Sequence, residues 1–264
     1  SFIEPNEQYP AEALPLWNQG PRGLYVSVGT ERGFMAAGAN PNATHLLLVD
    51  RDPTVTQFNR INAALLELAE NREDYLKLRL TESAESWKIR AEKAYAEKKL
   101  SKNAYDLFTD EKAWNWWAFR VRNQFIEFHN SRFKQIDAFQ DVNYLANDQY
   151  FEKLSKMAKE QKIQANTLQL SDSKELLKLV QAIHSSKIPL STLDISNAYW
   201  DIYMSYDELK FLLGTFGKLA QFNSHLLLTK GSEKSWSYEA IEFQYLQDTT
   251  AAAQLLSETR RYSL

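Results

Sequence analysis

Two glycines and one acid carry the first chemical signal in this chain. Gly29 and Gly33 follow the short apolar run LYVSV (residues 24–28), and Asp50 closes a second run, HLLLVD. A glycine turn lets backbone approach a ligand closely, and a helix opening from it aims its N–H groups at the same place. An acid about 20 residues beyond such a turn is placed to accept hydrogen bonds from ribose hydroxyls. The spacing therefore points to a site for a nucleotide-like cofactor, with Thr30, Glu31 and Arg51 as neighbours in the same stretch. Asp50 also has plainer readings, as a helix-capping acid or a solvated loop residue.

Other candidate groups lie at later strand ends. Asp172 ends NTLQLSD, where it is either a ligand contact or the cap of the helix KELLKLVQAIHSS; Asp194 and Asn197 follow PLSTL on a loop. His45, His129, His184 and His225 are scattered without the spacing of a metal site, and the absence of cysteine removes thiolate zinc sites and thiol nucleophiles together. No G-x-S-x-G elbow or P-loop is present, which lowers acyl-transfer and NTPase readings.

The elements that must position these groups read as an α/β chain. A buried strand at 24–28, a helix over 30–38, a strand at 45–50 and a helix opened by Asp52 and Pro53 make β-α-β-α, and parallel strands require such crossovers. From about Asn71 to Lys162 only helical patterns occur, a stretch too long for an ordinary crossover. Within it, Trp114, Trp116, Trp117, Phe119, Phe125, Phe128 and Phe133 alternate with Arg120, Arg122 and Arg132. They form the helical segment's own core or a ligand wall that would include Trp117, with a nucleic-acid surface disfavoured because Glu111 and Glu127 dilute the charge. Strands through 166–172, up to Leu193, and over 225–229 follow, then an edge strand in YEAIEFQYLQ and a C-terminal helix. The expected fold is a mostly parallel Rossmann-like sheet with helices on both faces and a large all-helical insertion after the second strand. Its parts are an arm (1–22), a core (23–70 and 163–264) and the insertion (71–162). The arm carries Pro5, Pro10, Pro15 and Pro21, and its Tyr9, Leu14, Leu16 and Trp17 either pack on the body or cover the cofactor cleft.

With 264 residues and 44% hydrophobic content the chain can bury a sizeable core, and a net charge of −3 provides no global basic field for nucleic acid. No apolar run approaches the ~20 residues of a membrane span, and the N-terminal stretch lacks a signal-peptide pattern. A cytoplasmic protein is expected, with export after processing as the alternative.

Over residues 23–70 and 163–247 this architecture resembles the class I S-adenosylmethionine-dependent methyltransferase superfamily. The motifs that carry the resemblance are SVGTERG, LLLVD, LQLSD and LDISN. It implies S-adenosylmethionine as cofactor, held by Gly29, Thr30, Glu31, Gly33, Asp50, Arg51 and Asp172. Asp194 and Asn197 would face the reacting centre, and the acceptor would be a small molecule or a protein. Asn197, Ala198, Tyr199 and Trp200 are distantly similar to the Asn-Pro-Pro-aromatic motif of amine-methylating enzymes, without its prolines. The superfamily pattern has an acid where Ser27 stands and a glycine where Glu31 stands. These departures keep open a catalytically silent module acting through protein contacts, and another nucleotide-dependent enzyme of related fold.

Overall fold

The computed structural model describes residues 10–122, 141–200, 202–231, 236–246 and 248. It is an α/β structure built on a six-stranded sheet: β1 (Gly23–Val28), β2 (Ala43–Asp50), β3 (Ile163–Thr167), β4 (Leu190–Ser196), β5 (Ala220–Gly231) and β6 (Trp236–Glu242). The spatial order is β3-β2-β1-β4-β5-β6. The first five strands are parallel to their neighbours and β6 pairs antiparallel with β5.

The strands sort their side chains between two cores. Tyr25, Leu46, Leu48, Ala165 and Leu227 enter one, while Leu24, Val26, Leu47, Val49, Leu193, Ile195, Leu226 and Leu228 enter the other. That alternation is the period of a strand, and burial on both sides explains why these segments read as continuous apolar runs. On the first face lie α2 (Glu31–Ala39) and α3 (Pro53–Leu68), followed by α4 (Arg72–Leu80), α5 (Ala84–Ala96), α6 (Lys102–Thr109) and α7 (Glu111–Trp117). A π-helical turn (Ala118–Arg122) and α8 (Asp148–Lys159) complete that side. The second face is covered by α9 (Ser173–Ser186) and α10 (Tyr206–Gly217). The described residues between β2 and β3 form helices and turns without a strand.

Local chemistry sets the helix starts. Asp52 accepts a hydrogen bond from the Thr54 amide at 2.8 Å with Pro53 in the first turn, and Ser205 with Glu208 forms a capping box on α10. Each arrangement satisfies amides that a helix start would otherwise leave orphaned. Gly33 lets α2 lie directly on the sheet: a Cβ there would sit 2.5 Å from Leu48 Cδ2 and 3.0 Å from Ser27 Oγ. At the other end of α2, the Lys153 ammonium of α8 donates to the carbonyls of Ala37, at 2.7 Å, and Asn40. Burial and the nearby Arg22 charge push Lys153 down to about 8.

The N-terminal segment resolves into a short 3-10 turn (Pro10–Ala13) and α1 (Leu14–Trp17), with Ala13 and Trp17 fully buried. It then runs past the amino ends of the strands. Asn42 Nδ2 donates to the Gly20 carbonyl at 2.9 Å, and a Cβ at Gly20 would meet Ser191 Oγ at 2.6 Å. Residues 10–22 therefore pack at the edge opposite Gly29 and Asp50, as body rather than cofactor cover.

The elements differ from the sequence expectation in several places: β5 begins at Ala220 rather than 225, and the YEAIEFQYLQ stretch leaves the sheet as a 3-10 turn at Phe243–Leu246. The third strand is Ile163–Thr167, not 166–172, because as an edge strand it has one neighbour and shows a polar, half-exposed pattern; Leu168 and Leu170 are buried beyond its end. The fourth strand continues to Ser196, so Asp194 lies within it. Trp117 is fully buried, stacked on Phe58 with centroids 5.3 Å apart and 10° between planes, and its indole donates to the Arg79 carbonyl. A stacked pair of this kind contributes about 0.5–1.5 kcal/mol beyond its area burial, which is the core reading of the aromatic run. Tyr9, Phe125, Phe128, His129, Arg132, Phe133 and the expected C-terminal helix lie outside the described residues.

Candidate functional site at the carboxyl edge of the sheet

Strand order reverses between β1 and β4, so the crossovers leave in opposite directions and a crevice is expected at their carboxyl ends. Gly29 sits there. Its φ of +95° belongs to the region that favours glycine, and the space a Cβ would occupy is open, with nothing within 4 Å. Its carbonyl accepts from Asn59 Nδ2 of α3 at 2.8 Å, and its N–H lies on the Asp50 side, where it favours the ionised carboxylate. Asn59 is a candidate-site residue that sequence reading missed, since nothing in its helical position signals a reach of 30 residues back along the chain.

Asp50 is half-buried at the end of β2. Burial raises its carboxyl above the ordinary aspartate range, and the backbone N–H groups of Asp52, at 2.9 Å, and Gly29 offset part of that. Two backbone donors leave acceptor capacity on a carboxylate, which has about four lone-pair positions. Arg51, the next residue, is exposed and places its guanidinium 5.1 Å from the ring centroid of Tyr203, in the loop after β4. This contact spans the end of β1, between the loops that follow β2 and β4. Thr30 is buried ahead of α2, and Gly33 serves the close packing of α2 on β1 and β2.

Glu31 points away from this edge into a buried polar network. It forms an ion pair with Arg79 of α4 and accepts from the Tyr144 hydroxyl at 2.6 Å. Arg79 also donates to Tyr75 Oη at 2.8 Å, and Asn62 Nδ2 donates to Tyr144 Oη at 3.0 Å. Burial alone would lower the Arg79 guanidinium, but Glu31 and the two tyrosines outweigh it and hold the group well above its ordinary value. Burial, then the Glu31 charge, pushes the Tyr144 phenol well up.

Asp194 is fully buried among internal donors. It pairs with Arg32 of α2, accepts from Tyr25 Oη at 2.9 Å, and accepts from the Ser196 amide at 3.1 Å. Arg32 also donates to Thr229 Oγ1 of β5 at 2.9 Å. Burial and the neighbouring Asp194 carboxylate raise the Tyr25 phenol well above its ordinary value. Ser196 has a φ of +50°, a left-handed conformation costly for a residue with a Cβ, at the point where β4 turns out of the sheet.

The remaining candidates are distributed differently. Asn197 is half-buried on the turn after β4, Tyr199 is fully buried with its hydroxyl 3.4 Å from the Thr229 carbonyl, and Trp200 packs against the second core. Asp172 is exposed, five residues beyond the end of β3, and caps α9 by accepting from the amides of Lys174 and Glu175. The structure thus brings Gly29, Thr30, Asp50 and Arg51 together, with Asn197 on the neighbouring loop. It commits Glu31, Asp172 and Trp117 to structural contacts.

A separate groove of about 720 Å³ lies outside β3, between α3 and α6, with Arg60, Glu67, Asn103, Asp106, Gln164 and Asn166 among its lining. Its charged groups are engaged locally: Arg60 with the Ala165 carbonyl, Glu67 with Ser101, Asp106 with Lys102. Among the described residues no group of three His, Asp or Glu side chains could hold a metal ion, and no helix is long and apolar enough to cross a membrane. No curated protein matches the chain. A family model matches residues 3–262, nearly the whole sequence, and the chain belongs to that family, described as Domain of unknown function (DUF7790).

Proposed function

We propose that this protein is an S-adenosylmethionine-binding, methyltransferase-like enzyme with a Rossmann-like core (23–70 and 163–264), a helical insertion (71–162) and an N-terminal arm (1–22). One observation carries the reading: open space over Gly29 beside a half-buried carboxylate, Asp50, that keeps acceptor capacity. Those two features fit an adenosine-bearing ligand, whose ribose hydroxyls need acceptors and whose backbone contacts need a residue without a Cβ. Gly29, Thr30, Asp50 and Arg51 would hold it. S-adenosylmethionine supplies a methyl group on a sulfonium, and in-line transfer of that group asks for alignment and desolvation more than for acid–base groups. With Asp194 enclosed, Asn197 is the polar side chain on the loop after β4 that faces an acceptor, with Trp200 beside it.

A second reading, a catalytically silent methyltransferase-like module that acts through protein contacts, is favoured by one finding: Glu31 and Asp194 both spend their charge on internal arginines. Calorimetry separates the two. The parent chain and Asp50→Ala are titrated with S-adenosylmethionine, S-adenosylhomocysteine, NAD and ATP. The enzyme reading expects binding of the two sulfur ligands by the parent and its loss in Asp50→Ala. No binding to the folded parent defeats it, and preference for NAD or ATP assigns the edge to another nucleotide.

A further inference from the structure

The first turn of α2 holds two adjacent residues of opposite charge that leave the helix in different directions. Glu31 reaches Arg79 and Tyr144 in the helical segment that follows β2. Arg32 reaches Asp194 on β4 and Thr229 on β5. Consecutive helical residues are about 100° apart, so one turn serves both. All four charged side chains are at least nine-tenths buried, where a partnered charge is tolerated and an orphaned one is strongly unfavourable. Loss of either pair takes a counter-ion from a buried charge. The turn itself is pinned: Gly33 lies where even a methyl group would collide with Leu48 and Ser27.

We infer that this turn couples the helical segment to the carboxyl edge of β4, with Arg32 as the positioning residue for Asp194 and Glu31 as the lever through which docking of α4 sets that position. Among the described residues the coupling takes in Tyr25, Asp194, Ser196 and Thr229 on one side, and Asn62, Tyr75, Arg79 and Tyr144 on the other. Gly29 stands two residues ahead of Glu31, so anything seated on the glycine turn rests on the same rigid piece. The inference itself requires no ligand and stands whether or not S-adenosylmethionine binds.

Two hydrogen bonds report the two sides in ¹H–¹⁵N spectra of the full chain. The Trp117 indole N–H donates to the Arg79 carbonyl at 2.9 Å, and the Ser196 amide donates to Asp194 Oδ1 at 3.1 Å. Glu31→Gln keeps the side-chain shape and drops the charge; Arg32→Lys keeps the charge and drops the fork. Coupling predicts that Glu31→Gln accelerates Ser196 amide exchange by about fivefold or more, a typical lower bound for linked sites. It also predicts that Arg32→Lys shifts the Trp117 indole signal. If each variant disturbs only the reporter on its own side, the coupling is overturned. Uniform acceleration reaching α9 would mean general loosening and would overturn it equally. Should either variant fail to fold, Tyr144→Phe, which removes the bond to Glu31 and the acceptor of Asn62 and Arg79 while keeping both charges, is read against the same Ser196 amide, with the same two outcomes.

Discussion

Asp50 and Asp194 are both aspartates near the carboxyl ends of strands, on either side of β1, yet their surroundings are opposite. Asp194 is enclosed by a guanidinium, a phenol and an amide. Among the described residues Asp50 has only backbone donors; it sits half-buried beside open space and has its carboxyl raised by burial. A strand-end acid is therefore not a site by position alone. Where internal donors surround the carboxylate it organises the fold; where they leave acceptor capacity and room, it can meet a ligand.

The sharpest way to break this contrast is to unpair the enclosed acid. Arg32→Met leaves Asp194 buried without its cation, and chemical denaturation is expected to show a loss of about 3–5 kcal/mol. The double variant Arg32→Met with Asp194→Leu should recover much of that, because an apolar pair can replace a buried ion pair. Asp50→Ala should change stability little. If the two acids cost the same, the distinction between them fails.

A smaller effect tests the open acid. Two hydroxyl hydrogen bonds to a carboxylate, at about 1.5 kcal/mol each, correspond to roughly two orders of magnitude in Kd for an adenosine ligand on Asp50→Ala. The pH dependence follows from the raised carboxyl. Binding needs the ionised form, so affinity should fall as pH drops, and should begin to do so at a higher pH than an ordinary aspartate would impose. An affinity flat through that range would remove Asp50 from the contact.

The smallest effect belongs to the opposite edge. His225 is buried under the N-terminal segment, and burial lowers its pKa from the ordinary value of 6.5. The unfolded chain then takes up this proton at a higher pH than the folded one. Its contribution to stability is present above pH 6.5 and is lost as pH falls through the lowered folded value. Denaturation midpoints measured from pH 7.5 to pH 5 should decline in the parent and decline less in His225→Gln.

Much of the frame was legible from local chemistry. The apolar runs at LYVSV and HLLLVD are strands because burial on both faces demands such runs, and Asp52 with Pro53 marks a helix start through capping and a preset φ. What could not be read was set by tertiary partners. Glu31 pairs with a residue 48 positions away, so its departure from the superfamily's glycine pattern gave no sign that it anchors α4. The strand carrying Asp194 ran past the acid because Arg32, 162 residues earlier, neutralises it. The edge position of β3 disguised it behind polar residues, and LQLSD supplied a more apolar decoy whose Asp172 is a helix cap.

Ser27 and Gly33 share one volume, the gap between β1 and α2 in which a methyl group on residue 33 would already be too close. Ser27 also stands in register with Asp194, so an acid at 27 would place two carboxylates side by side. The two positions therefore behave as one: a larger residue at 27 leaves no room for a Cβ at 33, and an acid at 27 calls for an uncharged residue at 194.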